Sequence, residues 1–104
     1  MHRIAFKMKL FRGQEAEYRK RHDEIWPRLT ALLHDHGVRE YSIFLDEETG
    51  ILFGNLLASD PALFESLPAS PIMQEWWQYM RDIMETNPDG SPVSIRLQEV
   101  FYMP

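Results

Sequence analysis

Between Arg3 and Phe11 the apolar residues Ile4, Phe6, Met8 and Leu10 alternate with Arg3, Ala5, Lys7 and Lys9, the two-residue period of a strand with one buried face. Gly13 breaks that pattern, and from Gln14 to His36 the spacing lengthens to threes and fours: Tyr18, His22, Ile25, Trp26, Leu29, Leu32, Leu33 and His36 share a helical face, with Gly37 as a stop. Pro27 lies inside this run, where it removes the backbone hydrogen bond to the Asp23 carbonyl and costs about 3 kcal/mol in an ideal helix. A bend or break near Asp23 is therefore predicted. Glu40–Asp46 and Ile51–Ala58 read as strands joined by the hairpin-like Glu47-Glu48-Thr49-Gly50. Asp60-Pro61 and Ser70-Pro71 each set a capping residue before a Pro at the first helical position. The second opens a longer helix in which Ile72, Trp76, Tyr79, Met80, Ile83 and Met84 share a face. After the turn-rich Asn87-Pro88-Asp89-Gly90-Ser91-Pro92, a final strand is expected over Val93–Met103.

The predicted order is β-α-β-β-α-β, an α+β, ferredoxin-like arrangement with helices on one face of a four-stranded antiparallel sheet, forming a single domain over residues 1–104. The other sheet face needs cover. Phe44, Leu52, Gly54, Leu56, Val100 and Tyr102 offer apolar surface in excess of what the helices require, so a symmetric homodimer is expected.

Composition narrows the chemistry. With no cysteine among 104 residues, a disulfide framework, a thiolate zinc site, an iron–sulfur cluster and a cysteine nucleophile are excluded. Sixteen acidic against eleven basic side chains, the latter scattered, argue against nucleic-acid binding. No apolar run approaches the roughly 20 residues that span a bilayer. Lysines interrupt the N-terminal apolar positions, unlike a signal peptide, and a soluble, cytoplasmic protein is expected. The aromatic content, 12% with three Trp, is the less ordinary figure.

Tyr18 and His22 stand four apart, on one helical face and within reach of the same small ligand. They are either a packing pair at the core edge or an acid–base group beside a positioning hydroxyl. Trp76 and Trp77 point about 100° apart on a helix. They can wall a cavity, packing on the C–H faces of a sugar or on another aromatic; alternatively Trp76 fills the core with Tyr79, Met80 and Ile83, leaving Trp77 at the rim or in a dimer contact. Tyr41 faces the same way as Ile43 and Leu45 and needs a partner for its hydroxyl, structural or ligand. Asn87 and Asp89 are ordinary turn residues that could also reach a cavity, and Glu99 is either an edge-strand charge or a base. His34 and His36, two apart, point to different sides of a helix, and the helix dipole explains imidazoles near its C-terminus, so no metal site is expected. No phosphate loop, nucleophile elbow or dinucleotide fingerprint is present.

Tyr18-Arg-Lys-Arg-His22 with Ile25-Trp26-Pro27, Tyr41-Ser-Ile-Phe-Leu-Asp46, Trp76-Trp77-Gln-Tyr79-Met80, Asn87-Pro88-Asp89 and Leu97-Gln-Glu-Val-Phe-Tyr102 occur in an order that closely resembles the L-rhamnose mutarotase family over essentially the whole chain. The resemblance implies a cytoplasmic homodimer, a dimeric α/β barrel, that interconverts the α and β anomers of L-rhamnose without cofactor or metal. It further implies that His22 is the proton donor and that Tyr18, Tyr41, Trp76 and Trp77 contact the sugar. Two other readings remain for an architecture of this kind: an oxygenase or isomerase acting on an aromatic substrate, and a non-catalytic sugar-binding module.

Overall fold

The computed structural model describes residues 1–104. Strand β1 (His2–Lys9) turns its Ile4, Phe6 and Met8 side chains to one side, as the alternation requires, and leads into helix α1 (Glu15–Asp23). Glu15 and Glu17 in the first turn of α1 and Lys20, Arg21 and His22 in the last complement the helix dipole. The long helical pattern is broken where Pro27 demanded it. Trp26 adopts an extended backbone (φ −63°, ψ 129°), as the residue before a proline prefers, and Pro27 becomes the first residue of helix α2 (Pro27–Asp35). Gly37, at φ +79°, ends that helix in the left-handed conformation expected of its stop.

Strands β2 (Val38–Asp46) and β3 (Ile51–Ala58) form the hairpin, with a bulge between Arg39 and Ser42 where Glu40 takes a positive φ of 49°. Helix α3 (Pro61–Glu65) is capped by Asp60, whose carboxylate accepts from the Ala62 N–H at 2.9 Å. A turn of 3-10 helix (Leu67–Ala69) then leads to helix α4 (Pro71–Met80) and to strand β4 (Ile95–Arg96). Sheet order is β2-β3-β1-β4 with antiparallel neighbours throughout, the ferredoxin-like topology. No helix is long and apolar enough to cross a membrane.

Four expectations are corrected. Ser70 precedes α4 but makes no side-chain capping bond. Helix α4 stops at Met80, and Ile83 and Met84 complete the shared apolar face from the following turn, both buried. The last strand is far shorter than Val93–Met103: only Ile95 and Arg96 pair with β1, opposite Lys7 and Phe6. After the Leu97 N–H bond to the Ala5 carbonyl (2.8 Å), the tail is tied by side chains, Glu99 accepting from Arg3 at 2.9 Å and the Arg3 guanidinium lying 3.1 Å from the Tyr102 ring centre. Finally, Leu52, Gly54 and Leu56 belong to the buried, helix-covered face, because they pair with Met8, Phe6 and Ile4. The uncovered face carries Phe44 opposite Phe53, with Phe44 65% exposed and, in the tail, Val100 90% exposed.

The larger core cluster joins Met8, Leu10 and Leu52 of the sheet side to Tyr18, Leu29, Trp76, Met80, Ile83 and Met84. All of these except Ile83 also line the cleft beside the helices, Tyr18 and Trp76 among them, so core packing and site geometry are set by the same contacts.

Candidate active site

A cleft of about 1680 Å³ runs between the helices and the covered face of the sheet. The five residues that the resemblance points to all line it: Tyr18 and His22 from α1, Tyr41 from β2, and Trp76 and Trp77 from α4. They are held there by different means.

Tyr18 and His22, one helical turn apart, stack with ring centres 4.3 Å apart and planes 29° apart. The Nδ1 of His22 lies 3.1 Å from the Tyr18 carbonyl oxygen. A carbonyl only accepts, so Nδ1 carries the proton and Nε2 presents a lone pair. Trp76 meets the imidazole edge-on, centres 5.4 Å apart at 87°. Burial pulls the His22 pKa below its ordinary 6.5, outweighing the raising effects of the Tyr18 carbonyl and of Asp23. The resting imidazole is neutral at neutral pH.

Both phenols are pushed upward, Tyr18 by burial with Tyr41 adding to it, and Tyr41 by burial alone. Tyr41 retains 39% of its surface, but it lines the cleft and its ring packs edge-on to Phe6 at 6.1 Å, so that surface opens onto the cavity among protein atoms. Neither phenol ionises near neutral pH; both are hydrogen-bond donors and acceptors without charge. Trp76 is buried with Met80 and Ile83 and also contributes to the cleft wall, whereas Tyr79, expected beside them in the core, is 43% exposed. Trp77 is half-buried against that core and also lines the cleft.

The remaining carboxylates separate cleanly. Glu99 pairs with Arg3 and lines a smaller hollow on the opposite side of the sheet with Ala5, Asn55 and Leu57, away from the cleft. Asp89 does line the cleft, held below the usual carboxylate range by the Ser91 hydroxyl (2.5 Å) and N–H (2.9 Å). Asn87 is absorbed in closing its own turn, its amide donating to the Ser91 hydroxyl and the Pro92 carbonyl. His36 is tied through Nδ1 to the Leu32 carbonyl at 2.9 Å, and no three His, Asp or Glu side chains come together as metal ligands.

The structure adds Trp26, which the sequence reading placed on the helical face without a role. Its ring meets Trp76 edge-on at 5.0 Å and stacks with Tyr79 at 5.6 Å, buttressing the tryptophan that touches His22. The signal was its place before Pro27: the extended backbone there swings the indole out of α1 and against α4.

Comparisons with known proteins agree with one another. The family model for L-rhamnose mutarotase matches residues 3–103. The L-rhamnose mutarotase of Jannaschia sp. (strain CCS1) is 58% identical over 104 residues, covering 100% of both chains. The crystal structure of the L-rhamnose mutarotase from Formosa agariphila superposes with a TM-score of 0.94 at 53% identity, again covering 100% of both chains. More distantly, the structure of Rv0793 from Mycobacterium tuberculosis shares the fold alone, with a TM-score of 0.62 at 11% identity over 98% of this chain and 97% of that one.

Proposed function

The chain belongs to the L-rhamnose mutarotase family and is a carbohydrate isomerase acting on L-rhamnose, and we propose that it opens and recloses the sugar ring through the imidazole of His22. Interconverting anomers requires a proton to leave the anomeric hydroxyl while another reaches the ring oxygen, the carbon–oxygen ring bond breaking to an open-chain aldehyde; the reverse steps on the other carbonyl face give the second anomer. Both oxygens are bonded to the same carbon, so one nitrogen placed at one of them is near the other. The neutral Nε2 of His22 takes the proton from the anomeric hydroxyl, and the imidazolium so formed is the donor to the ring oxygen, leaving no net change in protons. The lone pair that Nδ1 leaves on Nε2, by donating to the Tyr18 carbonyl, supports this reading most directly.

Tyr18 and Tyr41 supply un-ionised hydroxyls for the sugar's oxygens, and Trp76 and Trp77 supply flat apolar surface for its C–H faces and methyl group. Of the second-base candidates named from the sequence, Glu99 lies across the sheet and the phenols hold their protons, whereas Asp89 lines the cleft. Saturation-transfer NMR on L-rhamnose tests the assignment. The protein should speed anomer exchange, and a folded His22→Ala variant should lose about 10²- to 10⁴-fold of that acceleration. Undiminished exchange in that variant would refute the role of His22; sugar binding without exchange in the unaltered protein would indicate a binding module.

The same reading takes the working form to be a cytoplasmic homodimer, with a second copy covering the open sheet face to make the α/β barrel. The apolar side chains that face solvent there and in the tail, Phe44, Phe53, Ile95, Val100 and Phe101, support it. Sedimentation at micromolar concentration should show a dimer that Phe44→Glu dissociates; a monomer at that concentration would remove the barrel.

A further inference from the structure

Helix α1 buries a single side chain, Tyr18, while Glu15, Ala16, Arg19, Lys20 and Asp23 face solvent. The helix that carries His22 therefore has little apolar packing to fix it against α4, which carries Trp76 and Trp77. What spans the gap is Arg21, the neighbour of His22 in the chain. Its side chain is only 10% exposed, and its donors reach Glu17 on its own helix and Tyr79 and Asp82 across the gap. Nε donates to Glu17 at 2.8 Å, one turn back, and fixes the plane of the guanidinium. Nη1 donates to Asp82 at 2.8 Å and Nη2 to its other oxygen at 3.2 Å, a two-pronged pairing just past the end of α4. Nη1 also donates at 2.6 Å to the Tyr79 carbonyl, one of the last-turn acceptors that a helix leaves without an internal partner. The dipole there favours a cation.

The guanidinium carbon lies 4.5 Å from the centre of the Tyr79 ring, Tyr79 meets Trp76 at 5.6 Å, and Trp76 meets the His22 imidazole at 5.4 Å. The contacts close a circuit from His22 through Trp76 and Tyr79 to Arg21 and back along the chain. Neither Arg21 nor Asp82 lines the cleft, so neither touches the sugar.

We propose that Arg21 is a positioning residue, its fork across the end of α4 holding α1 so that the His22 imidazole stays aligned with Trp76 and Trp77. This rests on His22 being the reacting group. A lysine cannot reproduce the fork, since it offers a point charge in place of a planar guanidinium.

Turnover and KM for anomer exchange, and the His22 ring-proton NMR titration, are measured at 25 °C for Arg21→Ala, Arg21→Lys, Asp82→Asn, Asp82→Ala and Arg21→Ala/Asp82→Ala. Loss of alignment should lower kcat about ten- to a hundredfold in Arg21→Ala with KM changed less than about threefold, because the sugar-binding walls remain. Asp82→Ala should fall in the same direction, the double variant should be no worse than Arg21→Ala, and Arg21→Lys should be intermediate. The His22 titration midpoint should rise towards that of a solvated imidazole. Should Arg21→Ala fail to fold, the exposed Asp82 variants and Arg21→Lys give the same readouts. Wild-type kcat and His22 titration in the Asp82 variants and Arg21→Lys, or losses that add fully in the double variant, would overturn the positioning role. Activity retained in His22→Ala would overturn it together with the assignment of His22, whereas an inactive His22→Ala beside unimpaired Asp82 variants sinks the Arg21 role alone.

Discussion

Gly54 sits in the middle of β3, paired with Phe6 of β1 and facing the helices, and the missing side chain is what lets the Phe6 ring lie across the sheet. A Cβ added at this position would come 2.5 Å from Cζ, 2.6 Å from Cε2 and 3.2 Å from Cε1 of Phe6, against the 3.4–4 Å of ordinary contact. The ring must withdraw by about 1 Å. Its way out leads into the cleft that it lines and towards Tyr41, which it meets at 6.1 Å. Alanine in a strand interior gains about 0.5–1 kcal/mol over glycine, whereas forcing extra volume into a packed core costs about 1–3 kcal/mol. The second effect is larger. Gly54→Ala should therefore destabilise by about 1–2 kcal/mol, lowering the melting temperature by about 4–8 °C for each kcal/mol. On the proposed role of its hydroxyl, displacing Tyr41 should weaken one hydrogen bond to the sugar, raising KM for L-rhamnose about two- to tenfold. Thermal unfolding followed by circular dichroism gives the first quantity, and exchange NMR over a range of sugar concentrations gives the second. Adding Phe6→Leu should recover part of both losses, since the two positions share one space. A Gly54→Ala variant that melts at or above the wild-type temperature with unchanged KM would refute the reasoning.

Further outcomes follow from single contacts. The folded His22 pKa is lowered, so the unfolded chain binds the proton more readily: its contribution to stability is fully present above about pH 6.5 and is lost as pH falls through the folded value. Melting temperatures measured across that range should fall less steeply for His22→Gln than for the wild type, and parallel curves would count against the burial of the imidazole. Asp60→Ala removes the carboxylate that accepts from Ala62 and should cost about 0.5–2 kcal/mol in urea unfolding with kcat unchanged. Tyr41→Phe keeps the ring and its contact with Phe6 and removes only the hydroxyl, so KM should rise while the melting temperature holds within about 2 °C; an unchanged KM would remove Tyr41 from the sugar's hydrogen bonds.

Much of the framework is local and was legible without the fold. Strand β3 has the bounds its residues announce, Ile51–Ala58, because period-two alternation and a turn on one side suffice to define it. Pro27 ended one helix and began another for reasons contained in its own ring, and a spacing of four put Tyr18 beneath His22. Periodicity assigns residues to faces but does not say which face the helices cover. Leu52 and Leu56 went inward through their register with β1, and the last strand ended at Arg96, beyond which the tail is held to β1 by the Leu97 N–H on Ala5 and by Glu99 on Arg3.

Sequence alone thus determined the order of strands and helices, the placing of Tyr18 and His22 on one helical face, and the absence of any thiol chemistry. Tertiary structure decided that Glu99 pairs with Arg3 away from the cleft while Asp89 lines it, and which nitrogen of His22 is free. It alone joined Arg21 to Asp82 across 61 positions of chain. The division has one physical cause. Backbone geometry and proline stereochemistry act within a few residues, whereas burial, protonation and a forked hydrogen bond depend on which distant surfaces the packed sheet and helices bring within 3 Å or so of each other.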